Sequence, residues 1–250
     1  MAGWAHERLP PAVGSADMGR LTGSQIDALG RRLRDGAAIA DGDLDLLQEL
    51  LDLHIPPLQY VNDRLAALGL NPHSRLKSTG TIIDKLRRER ITLRGIHDLA
   101  GTRVVKQMTL GQQDDLTARV AALFPESRVI DRRASPNHGY RAVHVAARLQ
   151  GRWVEIQLRT DHQDAWAQLM ERFADRVGRE VRYGQLPDAL ASGTMADVQL
   201  RELLVRLMDL SRVIARREEV MNAGGESPDD AMVDELVRRV RVDLGLPPPD

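Results

Sequence analysis

Apolar and polar positions alternate most regularly between residues 142 and 159. Val154, Ile156 and Leu158 interleave with Glu155, Gln157 and Arg159, so a period of two predicts a strand with one face in the core. A second such run, 142–149, precedes it across Gln150-Gly151-Arg152, a short Gly-containing hairpin connection. The polar face carries a carboxylate, an amide and a guanidinium in a row, although a half-solvated antiparallel strand would show the same pattern. Elsewhere the period is helical. Thr22-Gly23-Ser24 opens a helix through Ile26, Leu29 and Leu33, and Asp41-Gly42-Asp43 opens another through Leu47 and Leu51. Pro56-Pro57 starts a third, which runs through Leu58, Val61 and Leu65 and stops at Gly69. Ser78 or Thr79 caps a basic helix whose inner face is Ile82, Ile83 and Leu86. Thr102–Val105 reads as a buried strand, 110–124 as a crossover helix with Leu116, Val120 and Leu123 inward, and Arg128–Arg133 as a strand. Three more helices follow: 161–176, capped by Asp161, then about 196–221 and 229–243. A loop over 178–194 and a linker over 222–228 separate them.

This order predicts an α+β fold (α/β mixed): a mixed β-sheet of about five strands flanked by helices, with helical N- and C-terminal extensions. Parallel pairing of strands 102–106 and 128–133 through the intervening helix would be right-handed. The organisation expected is a disordered leader over 1–20, a catalytic domain with its N-terminal helices over 21–178, and a C-terminal helical extension over 179–250. The last helix packs in cis or against a partner, and spacing leaves both open.

Composition changes this picture little. The 250 residues are 42% hydrophobic and 28% charged, enough for a substantial core, and aromatics make up only 3%, so aliphatic residues do the packing. With no cysteine, disulfides and thiolate metal sites are excluded. No apolar run approaches the roughly 20 residues of a membrane span, and the N-terminus lacks the order of a signal peptide. A cytoplasmic protein without membrane contact is expected. Charge is informative: residues 71–176 hold 19 Lys and Arg against 12 Asp and Glu, the remainder 16 against 24. The central segment is therefore suited to an anion.

Candidate chemistry gathers in that segment. Arg75 and Lys77 precede the basic helix, whose free N–H groups and positive dipole end favour a phosphate. Asp98 lies at the mouth of the strand 102–105, next to a Gly that permits close backbone approach; it either ligates a metal or caps a turn. Asp98 and Glu155 come from different strands, and one or two carboxylates plus substrate phosphates suit magnesium. No Walker loop or kinase signature is present, and the seven histidines lack HExxH spacing, which argues against a zinc hydrolase.

The ordered set SRLKS (74–78), HDLAGTRVV (97–105), NHGYRAVH (137–144) and VEIQLRT (154–160), followed by Trp166-Ala167, resembles the synthetase domain of the RelA/SpoT family, as found alone in the small alarmone synthetases. The resemblance covers about 45–176 and implies a nucleotidyltransferase-like domain. Such a domain uses Mg2+ to transfer the β,γ-pyrophosphate of ATP to a nucleotide 3′-hydroxyl, usually that of GDP or GTP. It implies Arg75, Lys77, Ser78, Lys85 and Arg103 as ATP-binding residues and Asp98 as the metal ligand. Tyr140, Asn137, His144, Gln157 and Arg159 would bind the acceptor. Glu155 would activate the 3′-hydroxyl or share the metal. MERFADRVG at 170–178 departs from the Glu-His and aromatic-basic pairs of many members, and His138 replaces the residue often found before Gly139. Downstream of Trp166 the chain looks more like toxin-like single-domain synthetases, whose acceptors include adenine nucleotides and the 3′ end of tRNA. That branch implies an antitoxin, or self-association through the C-terminal helices. A catalytically silent nucleotide-binding regulator is the third reading; retention of both Asp98 and Glu155 argues against it. No histidine-aspartate hydrolase set is present.

Overall fold

The structure, a computed structural model, describes residues 21–36, 39–185, 194–226 and 229–247. The leader expected over 1–20, part of the loop over 178–194 and part of the linker over 222–228 lie outside the described residues. The elements are α1 (Gly23–Asp35), α2 (Asp41–Asp52), α3 (Ile55–Ala67), β1 (His73–Leu76), α4 (Thr79–Glu89), β2 (Ala100–Val105) and α5 (Leu110–Ala122). They continue as β3 (Ser127–Asp131), β4 (Val143–Leu149), β5 (Arg152–Arg159), α6 (Asp161–Val177), α7 (Met195–Asn222) and α8 (Asp230–Asp243), with short 3-10 turns at Leu93–Gly95 and Arg179–Tyr183. The fold is α+β: one five-stranded sheet in the order β1-β2-β5-β4-β3, with helices around it.

Local chemistry sets the starts of four of the eight described α-helices. Thr22, Thr109, Thr160 and Thr194 each accept a backbone N–H three residues on, and Gln25, Gln112, Gln163 and Asp197 return the bond. Asp161 is thus not the cap of α6; it stands in the first turn, where the dipole favours a carboxylate, and Thr160 caps. Ser78 occupies the N-cap position of α4, but its hydroxyl pairs with that of Thr81 at 3.0 Å instead of capping.

The structure adds one strand to those expected and revises several readings. β1 carries no alternation that could announce it, because His73, Ser74 and Arg75 are all exposed. β2 is not buried throughout: Ala100, Thr102 and Val104 are buried, while Gly101, Arg103 and Val105 are half-buried. In α5, Leu116 and Val120 are buried but Leu123 only partly so, and Phe124 just beyond takes the inward place. β3 spans Ser127–Asp131 at the sheet edge, with Val129 51% and Ile130 36% exposed. β2 and β3 are not neighbours, since β5 and β4 stand between them. The hairpin's residues Val145, Ala147, Val154, Ile156 and Leu158 are buried and need central strands, whereas the exposed Arg128 and Asp131 of β3 suit an edge.

The chain divides into two compact units, 1–102 with 146–156 and 103–145 with 157–250, the division passing within β2, β4 and β5. In the first, Leu29 and Leu33 of α1, Leu47, Leu50 and Leu51 of α2, and Ile82, Ile83 and Leu86 of α4 form one core, joined by Leu93, Ile96 and Leu99. The hairpin turn belongs here; Gln150 and Gly151 both have positive φ (50° and 78°), the geometry that follows strand twist. In the second unit, Trp166, Leu169, Met170 and Phe173 of α6 pack on Leu203, Leu207 and Leu210 of α7 and on Val233 and Val240 of α8. The last helix therefore packs in cis.

A second two-residue turn, His138-Gly139, lies in this unit with φ of 48° and 86°, closed by reciprocal backbone bonds between Asn137 and Tyr140. A Cβ on Gly139 would meet Trp166 at 2.7 Å, and Ser211 of α7 donates to the Gly139 carbonyl at 2.5 Å. Gly139→Ala is expected to lower stability by about 2 kcal/mol, read as a shifted urea midpoint at unchanged slope.

Candidate functional site

In the first unit, the end of β1 is tied to the start of β2 by the Lys77 N–H donating to the Leu99 carbonyl at 2.8 Å. This brings the Lys77 ammonium to 2.5 Å from one oxygen of Asp98, and Lys85, from the second turn of α4, reaches the other at 2.9 Å. Burial pushes the Asp98 carboxyl up, but the charges of Lys77 and Lys85 outweigh it and hold the group at about 2. Burial also lowers the Lys77 ammonium, against the opposing pull of Asp98. Arg75 is exposed on β1, and its charge acts on Lys77 in the same lowering direction. Glu155 is half-buried on β5. A Cβ on Gly101 would lie 3.2 Å from the Glu155 carbonyl and 3.8 Å from its Cβ, so the glycine three residues after Asp98 admits the Glu155 backbone closely. At the strand's beginning Trp153 stacks at 4.6 Å on His97, the neighbour of Asp98.

The second unit holds the other sequence-predicted residues around one buried guanidinium. Arg159 is 4% exposed. It donates to Gln157 Oε1 at 2.7 Å, to the Tyr140 hydroxyl at 3.1 Å and to Asp164 Oδ1 at 2.8 Å. Its carbon lies 5.2 Å from the Tyr140 ring centroid, within cation–π range. The Tyr140 hydroxyl also bonds His144 Nε2 at 2.8 Å. Arg103 reaches Asp164 Oδ1 at 3.3 Å. Asn137 is exposed, and its backbone, not a side-chain contact, ties it to Tyr140.

Three residues that carry this arrangement went unread in the sequence. Asp164, 6% exposed, accepts from Arg159 and from the Gln168 amide at 2.6 Å and forms an ion pair with Arg103. Its signal was there: a carboxylate inside the apolar stripe that contains Trp166 and Leu169. Glu218 of α7 and Gln113 of α5, both buried, gave none, because their partners are distant in sequence. Thr160 donates to Glu218 Oε1 at 2.5 Å, Gln163 donates to Oε2 at 3.0 Å, and Gln113 bridges Gln163 and the Leu158 carbonyl. Burial pushes the Glu218 carboxyl up, against the hydrogen bonds of Thr160 and Gln163.

Among the described residues no three His, Asp or Glu side chains gather into a metal cage. Asp98 is nevertheless an ionised hard-oxygen donor whose oxygens keep a second lone pair each beyond the lysine bonds. Such a donor, with Glu155 in the same unit, fits an ion that keeps waters and brings its own phosphate ligands. No described helix is long and apolar enough to cross a membrane.

A family described as "Region found in RelA / SpoT proteins" matches residues 74–172. The "Uncharacterized protein Rv1366" of Mycobacterium tuberculosis is 38% identical over 201 residues, covering 75% of this chain and 72% of that protein. The crystal structure of small alarmone synthetase 1 from Bacillus subtilis aligns with a TM-score of 0.55 at 21% identity, over 72% of this chain and 95% of that one. The same enzyme bound to its product pppGpp gives 0.52 at 21% identity, over 72% and 96%. These structural likenesses concern the fold.

Proposed function

The chain belongs to the RelA/SpoT family, and from that premise we propose that it transfers the β,γ-pyrophosphate of ATP to the 3′-hydroxyl of a guanine nucleotide, GDP or GTP, in the cytoplasm. The observation that carries this reading is the Lys77–Asp98–Lys85 cluster in the unit that also holds Glu155. A carboxylate clamped between two ammoniums and ionised at neutral pH suits a polyphosphate and its cation, and Glu155 supplies a second carboxylate as proton acceptor. The product bound by the Bacillus subtilis enzyme, pppGpp, supports a guanine acceptor by analogy.

In this reading the 3′-oxygen attacks the β-phosphorus of ATP, the bond to the bridging oxygen of the α-phosphate breaks, and AMP leaves. The hydroxyl proton passes to the Glu155 carboxylate. In the first unit Arg75, Lys77, Ser78 and Lys85 hold the donor, and Asp98 with Glu155 would hold Mg2+. The ion would neutralise charge building on the transferred phosphates. In the second, Arg103 attends to the donor. Tyr140 stacks on the acceptor base, with its hydroxyl and ring fixed by His144 and Arg159. Asn137 and Gln157 complete the acceptor side.

The test is purified protein with labelled ATP and magnesium, offered GDP, GTP, ATP and bulk tRNA in parallel. Label should appear in the guanine lanes and vanish in Glu155→Gln. Label confined to tRNA or to ATP would replace the acceptor; unchanged turnover in Glu155→Gln would refute the assignment of the base.

A further inference from the structure

A cleft of about 440 Å³ lies wholly in the second unit, between α6 and the end of α8. Neither Asp98, Glu155 nor the two lysines line it. We propose that it binds a small anion with an apolar ring body, and that its occupancy acts on Asp164. The size is that of a small-molecule site.

Its walls are built by identifiable devices. Gly245, at φ 68°, turns the chain after α8, and Leu246 N–H donates back to the Arg241 carbonyl at 2.8 Å. This is a helix-ending motif that fixes the direction of the departing chain. Arg241 Nε then donates to the Pro247 carbonyl at 2.7 Å, holding the turned segment as a rim. Leu246 and Val237 on this side meet Leu169 and Val105 on the other as apolar lining for a ring.

The charges of the lining select the other end of the ligand. Of the two carboxylates, Asp164 is committed to Arg159, Arg103 and Gln168, and Asp161 stands against the N–H groups of the first turn of α6. Arg172, eight residues beyond Asp164 and so on the same side of α6, makes no ion pair or hydrogen bond among the described residues. With Arg241 across the cleft, it offers guanidinium donors to an anionic group.

Gln168 links this cleft to the chemistry. Its amide donates to Asp164 Oδ2 at 2.6 Å, opposite the oxygen that holds Arg159, and both side chains line the cleft. A ligand that draws the Gln168 amide away changes how the carboxylate shares itself with Arg159, which in turn sets the Tyr140 hydroxyl. This is a coupling between two sites through one shared group.

The probe is anilinonaphthalene sulfonate, an aromatic body with one anionic group, titrated by fluorescence against the full chain. Saturable binding at one site per chain is expected, weakened about tenfold in Arg172→Glu by loss of a charge-assisted bond. Leu246→Trp, which fills the cleft, should abolish it, and Asp98→Asn should leave it unchanged. Unsaturable binding, equal binding in both cleft variants, or loss in Asp98→Asn would overturn the site. Bound probe should alter the pyrophosphate-transfer rate of the natural protein but not of Asp164→Asn; no effect in the former, or a persisting one in the latter, overturns the coupling. That last arm rests on the proposed activity, while the binding arms do not, so failure of one reading is not mistaken for failure of the other.

Discussion

Asp98→Asn should abolish pyrophosphate transfer and lower stability by about 2 kcal/mol, the free energy of a carboxyl held at about 2 against an ordinary 3.8. The sign follows from the depressed value. Between these two pH values the unfolded chain binds the proton and the folded chain does not, so this stabilisation is present above pH 4 and is lost as the pH falls toward 2. Urea titrations of both proteins across that window should show their difference in stability shrinking as the solution is acidified. A difference independent of pH would mean that the lysines do not hold the ionised form. Lys77 makes the substitution harsher than a lost hydrogen bond, since its mostly buried ammonium then keeps a neutral amide where a counter-charge stood.

The second large effect falls on a residue outside the recognised motifs. Asp164→Ala leaves the Arg159 guanidinium, 4% exposed, without its carboxylate, and removing one partner of a buried pair costs about 3–5 kcal/mol. Gln157 and Tyr140 still accept from Arg159, which places the expected loss near 3 kcal/mol at the lower end of that range. Turnover with the acceptor should fall as well, because Arg159 no longer fixes the Tyr140 hydroxyl. A cycle with Arg159→Met separates the pair from the cavity: the double variant should be more stable than Asp164→Ala alone. If the double variant is the weaker protein, the guanidinium does not need this carboxylate.

Much of the architecture was legible because it is local. Threonine with glutamine or aspartate three residues on stands at the starts of α1, α5, α6 and α7, and the alternation over 143–159 announces the central hairpin. What escaped were properties of assembly. β1 has four residues with no apolar rhythm, and its place is given by pairing with β2. The edge position of β3 depends on the hairpin occupying the middle of the sheet. Within the candidate site, Lys77, Lys85 and Asp98 could be picked out as charged groups, but not as partners, because 21 and 13 residues separate the lysines from the carboxylate. Arg159 is legible in the sequence as an acceptor-binding residue; its burial and its dependence on Asp164 follow only from the packed helix.

The bond between Thr160 and Glu218 joins residues 58 apart. During synthesis the hairpin and the cap of α6 leave the ribosome well before α7 does, at roughly 5–20 residues per second. For several seconds the nascent chain carries the Thr160 hydroxyl and the Gln163 amide without the carboxylate that later receives them. Docking of α7 is therefore the step that closes this layer.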